Sequence, residues 1–447
     1  MENNETYSAV QAIGRWLRKS LLVKFAVIGF ILILLLIPQS MVRSLINERQ
    51  YRQMDVTREV SEKWGAAQTV TGPVLVIPFR ELYTQSDGKE LEYKRKAYFL
   101  PQNLRINGQL ENHTRKRGIY DVLLYRGILQ LEGNFPAPNW EALKINPDMV
   151  VWNEARLAFG ISDLAGIDSS LQLNWGNQAL RLEPGTSEAK LLPAGVSVGL
   201  PVTDASTAAG AFNLKMQLRG NEYIHFAPVG QETTASMQSP WPSPSFDGSF
   251  LPKESNISEA GFTASWGILD LNRNYPQQWT EHDEYSLKDN TFGVRLVQPV
   301  DGYAKNDRST KYALFILALV FLSFFFFETL QHFDIHPFQY LMVGLAISIF
   351  YLLLLSLSEH LGFNKAYLAA AAATVGLILF YSRYILKSWR MFGQLAFLLV
   401  AIYSFVFVVL QLEDYALLVG SLGLFATLAA VMYLSRNVDW YNLSKGE

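Results

Sequence analysis

Residues 307–362 read DRSTKYALFILALVFLSFFFFETLQHFDIHPFQYLMVGLAISIFYLLLLSLSEHLG. They form two apolar runs, each long enough to cross a bilayer as a helix, joined by a connection that allows only a tight hairpin. The pair commits this part of the chain to membrane helices, and the ionisable groups sit at the ends of the runs. Arg308 and Lys311 open the first, Glu328 nearly closes it, and Glu359 with His360 close the second.

The rest of the chain is not all membrane. Half of its 447 residues are apolar, but 17% are charged, which describes a membrane protein with a sizeable water-facing part. A net charge of −2 argues against a nucleic-acid partner, since displacing counterions from phosphates needs a dominant basic surface. The absence of cysteine excludes disulfides, thiolate metal sites and cysteine nucleophiles, and it suits an exported domain.

The N-terminal residues are polar and then basic, with Arg15, Arg18, Lys19 and Lys24 before an uncharged apolar run over 25–42. No small-residue cleavage box comes after that run, so it reads as an uncleaved anchor and not a secretory signal. Its basic flank keeps the N-terminus inside and sends the chain after Arg43 outward. Residues 43–70 form a stalk, with Val56, Val60 and Trp64 at helical spacing.

From 71 to 306 short β-type runs alternate with turn residues. Examples are PVLVIPF, LEYKRKAYFL after Ser86-Asp87-Gly88-Lys89, LRINGQL, VVWNEARLAF, and LQLNW turning at Gly176-Asn177 into ALRLEP. No amphipathic helix separates them, so one or two antiparallel sandwich units are expected. Residues 65–71 and 203–210 read as flexible connections.

The remaining spans are expected at about 366–382, 391–412 and 415–435. Charge supports this topology: Arg383, Lys387, Arg390 and Arg436 fall on the inside, and Glu359, Lys365, Glu413 and Asp414 on the outside. The alanine run Ala369 to Ala373, with Gly376, marks a span that packs centrally or against another copy, so a homo-oligomer is one expectation.

RSTKYALFILA, FFFFETL, HPFQYLMVGL and FYLLLLSLSEHLGF closely resemble the membrane region of the CreD family of bacterial inner-membrane proteins. The resemblance extends to TGPVLVIP, KRGIYDVLLY, EPGT, WPSPSFDGSFLP and SRNVDWY, and so covers nearly the whole chain. It implies an inner-membrane location, a role in cell-envelope integrity and a stress-response setting under two-component control. It implies no molecular activity.

Four groups of residues are candidates for chemistry. Glu359 and His360 can relay protons or bind a cation, but the favoured reading is an ion pair across the hairpin with Arg308 or Lys311. Glu328 and His332 share a helical face, with Asp334 and His336 after them, and are weak zinc or manganese candidates. Pro337 disfavours helix at His336 and no HExxH-type motif is present, so a polar turn is expected and no cofactor. Two basic clusters, Lys94, Arg95 and Lys96, then Arg115, Lys116 and Arg117, can contact lipopolysaccharide, lipid headgroups or peptidoglycan carboxylates, although solvated strand edges are favoured. Trp241, Phe246 and Phe250 lie in a proline-rich loop, 239–252, expected to lack regular hydrogen bonding, where they either meet a partner or cap the core.

There is no P-loop, Rossmann fingerprint, GxSxG elbow or kinase signature. The expected architecture is a multi-pass α-helical membrane protein with six spans. A large all-β, sandwich-like exported domain (71–306) is inserted between spans 1 and 2, a five-helix bundle (307–435, spans from about 311–330 and 338–358 onward) comes next, and both tails, 1–24 and 436–447, are cytoplasmic. The expected function is non-enzymatic envelope maintenance in which the exported domain binds an envelope component. The alternative is a transporter or membrane-embedded enzyme acting on lipid or cell-wall intermediates around Glu359 and His360.

Overall fold

The computed structural model describes residues 21–84, 90–297, 302–331, 334–386, 388–412 and 415–436. The chain divides into two compact units, one from Gln53–Pro299 and one from Met1–Arg52 with Val300–Glu447.

Helix α1 (Leu21–Trp64) begins in the second of these and ends in the first, so anchor and stalk are one helix. Its apolar half leaves Phe30, Ile33, Ile37 and Met41 exposed, the pattern of side chains solvated by lipid.

The β unit contains two sheets. The strands are β1 (Gln68–Thr84), β2 (Glu90–Phe99), β3 (Asn103–Arg117), β4 (Tyr120–Phe135), β5 (Arg156–Ile161), β6 (Gln172–Trp175), β7 (Gln178–Arg181), β8 (Glu183–Pro184) and β9 (Gly195–Gly199). After a one-turn helix α2 (Ala205–Ala208) come β10 (Gly210–Asn221), β11 (Tyr223–Phe226), β12 (Glu232–Ser239), β13 (Pro244–Gly248), β14 (Glu254–Ser258), β15 (Gly261–Leu269), β16 (Gln278–Thr280) and β17 (Phe292–Leu296). One sheet runs β13-β17-β11-β1-β5-β9-β8, with β2 and β16 added beside β1; the other runs β14-β15-β12-β3-β4-β10-β6-β7.

Alternation explains how the second sheet buries one face. In β3, Leu104, Ile106, Gly108 and Leu110 point inward between exposed Asn103, Arg105, Asn107 and Gln109. Leu129 and Leu131 of β4 and Leu214 and Met216 of β10 join them in one core with Val74, Leu75 and Phe159 of the first sheet. Each such side chain, nearly sealed from water, contributes about 1.5–3 kcal/mol.

Several expectations need correction. The pairings β1–β11 and β3–β12 are parallel, so the unit is not wholly antiparallel. VVWNEARLAF is a strand only from Arg156, because Trp152–Glu154 forms a 3-10 turn before it. Residues 65–71 are not a flexible link: Gln68 is fully buried, donates to the Asp163 and Arg219 carbonyls, and already belongs to β1. Residues 203–210 hold α2, whose Asp204 caps the helix by accepting from the Ser206 and Thr207 amides. The Ser86-Asp87-Gly88-Lys89 turn lies outside the described residues. Gly176-Asn177 does form the two-residue hairpin turn, with Gly176 at φ +55°.

The membrane unit contains α3 (Gly302–Lys311), α4 (Ala313–Gln331), α5 (Pro337–Leu361), α6 (Phe363–Ile385), α7 (Trp389–Gln411) and α8 (Ala416–Ser435). Among the described residues, five helices are long and apolar enough to span a membrane, or six if α3 and α4, bent by 41° at Tyr312, count as one. The polar sequence of α3, GYAKNDRSTK, accounts for its separation from the apolar α4.

Half of the apolar window of α5 is inside the unit, against 22% for the alanine-rich α6. Only one face of α6 is covered, by way of Ala366, Ala370 and Thr374, while Leu368 and Phe380 remain exposed. The aromatic centre is Phe350 against Tyr367 and Tyr403, and the Tyr367 hydroxyl donates to the Tyr403 carbonyl at 2.8 Å.

Candidate functional site

Of the charged candidates at the ends of α3 and α5, Glu359 and Lys311 are engaged by other residues of the unit. Glu359 accepts from the Tyr303 hydroxyl at 3.1 Å and faces Arg49 of α1 at 3.6 Å, so its described ion partner is neither Arg308 nor Lys311. Lys311 pairs instead with Asp307, one turn back, at 3.0 Å, and Asp307 also meets Arg43 at 3.3 Å. Arg308 is half-buried and His360 is exposed.

Sequence reasoning attends only to the two helices of the hairpin and misses the anchor as the source of Arg43 and Arg49. The available signal is the set of basic residues just beyond the apolar run.

At the other end of α4, Glu328 is 5% exposed. It accepts from Lys24 at 2.7 Å, from the Tyr340 hydroxyl at 3.1 Å and from the Ile335 amide at 3.3 Å. Asp334 reaches the same lysine at 3.0 Å. His336 caps α5, its Nδ1 accepting from the Phe338 amide at 3.2 Å. His332, the second half of that candidate pair, lies outside the described residues.

Among the described residues no group of three or more His, Cys, Asp or Glu is placed to hold a metal. Residues 334–336 are non-helical, with Asp334 and His336 exposed, and Glu328 beside them forms a part-buried ion pair with the anchor. Midway, the Gln39 amide donates to the Ser348 hydroxyl at 3.2 Å. Lys24 and Arg43 are about 28 Å apart along the helix axis, close to one hydrocarbon thickness. Polar ties therefore fix α1 to the helices of its own unit at three depths.

In the β unit the basic clusters are likewise occupied. Lys94 pairs with Glu154, Arg95 with Glu81 and Glu281, and Lys96 with the buried Glu188, which also accepts from the Tyr98 hydroxyl. Burial, reinforced by Glu188, raises the Tyr98 hydroxyl well above its ordinary pKa. Arg115 lies over the Trp64 ring at 4.5 Å, Lys116 is 4.0 Å from Asp121, and Arg117 meets Glu59 at 2.9 Å.

The aromatics of 239–252 pack against the core. Trp241 donates to the Val297 carbonyl at 2.9 Å, and Phe246 meets Phe262 and Trp266 edge-on at 5.7 and 5.8 Å. Phe250 is half-buried beside them, its carbonyl accepting from Trp266. The segment does hydrogen-bond regularly, because β13 pairs with β17. It also supplies Asp247, which binds His225 at 2.6 Å and Arg295 at 3.0 Å.

A different surface has polar groups left over. On the outer face of the second sheet, cross-strand register lines up Ser236, Asn107, Gln130, Lys215 and Gln172 in one row. The row beside it holds Gln238, Gln109, Ile128 and Gln217. These residues, with Asn174 and the 169–170 serines, line a trough of about 750 Å³. A second hollow of about 560 Å³ shares Asn174 and Asn213 with it.

The two hollows differ in chemistry. In the smaller, Arg105 pairs with Glu132, Asn213 donates to Glu132, and Asn103 donates to Asn134. In the larger, Asn107, Gln109, Gln172, Asn174, Gln217 and Gln238 make no side-chain hydrogen bond to other described residues. Each amide offers two donor hydrogens and an acceptor oxygen, so the trough is a grid of open hydrogen-bonding positions with one cation, Lys215. The signal in the sequence is amides at alternate strand positions, as in NLRINGQ, FNLKMQL and QLNW.

The profile of the family described as "Inner membrane protein CreD" matches residues 20–441. The inner membrane protein CreD of Escherichia coli K12 is 34% identical over 420 residues, covering 92% of each chain. Two structures of an M1 zinc metallopeptidase from Deinococcus radiodurans align with 44% of this chain and 42% of theirs at 10% identity. Their TM-scores of 0.22 and 0.20 are too low to bear on the fold. On the near-complete match of sequence to profile and relative, the chain belongs to the CreD family of inner membrane proteins.

Proposed function

We propose that this protein maintains the integrity of the cell envelope without catalysing a reaction, in a setting of envelope stress. In this reading the β unit is exported to the periplasmic side, both termini stay in the cytoplasm, and the β unit binds an envelope component. The membrane unit retains it at the inner membrane.

The open amide trough carries the proposal: six amides with no side-chain hydrogen bond to other described residues share one face of the sheet, two of them asparagines, which are disfavoured within strands. Repeated amides without partners among the described residues therefore point to a ligand. The occupied state of Arg115, Lys116, Arg117, Trp241, Phe246 and Phe250 supports placing binding in the trough and not at those residues. The Glu359–Arg49–Tyr303 contacts support a structural use for that end of α5 over transport or catalysis.

The test is dye leakage across the envelope of cells lacking the protein, complemented at matched membrane abundance. Wild type and the Glu359→Ala, His360→Ala double variant are expected to restore the barrier. The Asn107→Ala, Gln109→Ala, Gln172→Ala variant is expected to leave it leaking. A trough variant that restores the barrier as well as wild type overturns the proposal. If only the Glu359, His360 variant fails, chemistry at that end of α5 replaces it.

A further inference from the structure

We infer that the ligand of the trough is an N-acetylated amino-sugar glycan of the cell wall, lying across the strands of the second sheet. This rests on the reading of the trough as the binding surface and adds the class of its occupant.

Charge comes first. Lys215 is the one charged side chain among the described residues lining the larger hollow. A phosphate-rich partner calls for clustered arginine and lysine, which this surface does not offer. A lipid tail calls for a continuous apolar lining, whereas the exposed apolar side chain here is Ile128, 39% accessible, in the middle of the amide row. That single apolar patch among amides matches a sugar ring, which has apolar C–H faces and a polar rim. An extended peptide would add to a free sheet edge, but the trough lies on the face of interior strands β12, β3, β4 and β10, with β6 beside them.

Spacing and donor type agree with this occupant. Neighbouring strands are about 4.8 Å apart, and side chains on one face recur about every 6.8 Å along a strand, giving a two-dimensional grid. Across the five strands the row extends about 19 Å, enough for several linked sugar rings and more than one ring needs. Carboxamides pair in both directions with acetamido groups and with adjacent hydroxyls, which are both donors and acceptors. Lys215 then suits a polymer bearing an occasional carboxylate in place of dense charge.

The experiment uses the full-length protein in nanodiscs, titrated calorimetrically with soluble β-linked N-acetylglucosamine tetramer and hexamer. Lipopolysaccharide and vesicles of anionic phospholipid are titrated in parallel. The hexamer is expected to bind saturably and more tightly than the tetramer. Losing two amide contacts in Asn107→Ala, Gln172→Ala is expected to weaken the hexamer about tenfold or more. Gln217→Glu, which keeps the shape, is expected to weaken it too, while Arg117→Ala leaves it unchanged. Melting temperatures of the variants confirm that each is folded.

No saturable binding of the hexamer, or binding that the amide variants leave intact, overturns the inference. So does saturation by lipopolysaccharide or anionic vesicles in its place. The two levels separate cleanly. A trough variant that fails to restore the barrier, in a protein that ignores the hexamer, removes the glycan and leaves the envelope-binding function standing. A variant that loses the hexamer yet restores the barrier removes that function and leaves glycan binding in place.

Discussion

The basic clusters of the β unit and its amide trough are both polar surfaces, and they differ in what their polar atoms already hold. Lys94, Arg95, Lys96 and Arg117 each meet a carboxylate of the same unit, and Arg115 rests on Trp64. Asn107, Gln109, Gln172 and Gln217 have no such partner among the described residues. Charge catches the eye in a sequence, but an occupied charge is a structural device. Unused hydrogen-bonding capacity is the better mark of a site. The comparison predicts that variants of occupied groups cost stability, whereas variants of open groups cost binding alone.

The largest stability loss is expected at Glu328, whose carboxylate serves Lys24, Tyr340 and the Ile335 amide from a nearly sealed position. Glu328→Ala leaves the Tyr340 hydroxyl and the Ile335 amide without their acceptor and removes one of the two carboxylates that Lys24 meets. Breaking a fully buried pair costs about 3–5 kcal/mol, and a loss of at most about 3 applies because Lys24 is partly exposed and keeps Asp334. Thermal unfolding in detergent measures it, and a shift equivalent to less than about 1 kcal/mol breaks the account of how α1 is tied to its unit.

Next in size is a pH effect in the β unit. Burial of Tyr275, which is 4% exposed and donates to the Pro228 carbonyl, pushes its hydroxyl up to about 12. A folded pKa above the unfolded value of about 10 means stability is complete below pH 10 and declines as pH rises toward 12. Tyr98 shifts in the same direction and adds to the decline. Tyr275 contributes about 2 kcal/mol to this loss. Denaturant unfolding of wild type and Tyr275→Phe across that window checks it: equal slopes against pH in the two proteins contradict the assignment.

A smaller effect is expected for Arg117→Ala. Its partner Glu59 also holds Lys63 at 2.9 Å, and both sides are well exposed, so the measured loss is expected below about 1 kcal/mol. A larger loss means that this cluster does more than decorate an edge.

How much of this is legible in the sequence depends on the range of the interaction. Apolar run length and alternation are local, and they place the long apolar helices and strands such as β3 and β4 close to the elements of the structure. The partner of Glu359 is not legible, because nothing local connects it to Arg49, far back along the chain in α1. Burial within the helical unit is legible only in part for a related reason: the alanines of α6 permit close packing, but the covered share of α5, half of its apolar window, depends on neighbours distant in the chain. The trough lies between these cases. Its amides are visible at alternate positions, but only the register of β12, β3, β4, β10 and β6 places them in rows.

The smallest stability effect is expected within the trough itself. Asn174 is exposed at the junction of the two hollows and makes no side-chain hydrogen bond to other described residues. Asn174→Ala therefore removes no side-chain hydrogen bond to other described residues and replaces a residue poorly suited to strands, so stability is expected to hold within about 0.5 kcal/mol or rise slightly. Asn213, its neighbour across the strands, differs in donating to Glu132 at 3.3 Å. Asn213→Ala is expected to cost about 0.5–1.5 kcal/mol, the net value of one hydrogen bond. Measuring both melting curves in the same detergent isolates the variable at issue, since the residue type and sheet face are shared and only occupancy differs. Equal losses at the two positions would mean that occupancy does not separate structural amides from functional ones, and the trough would lose its claim to be a site.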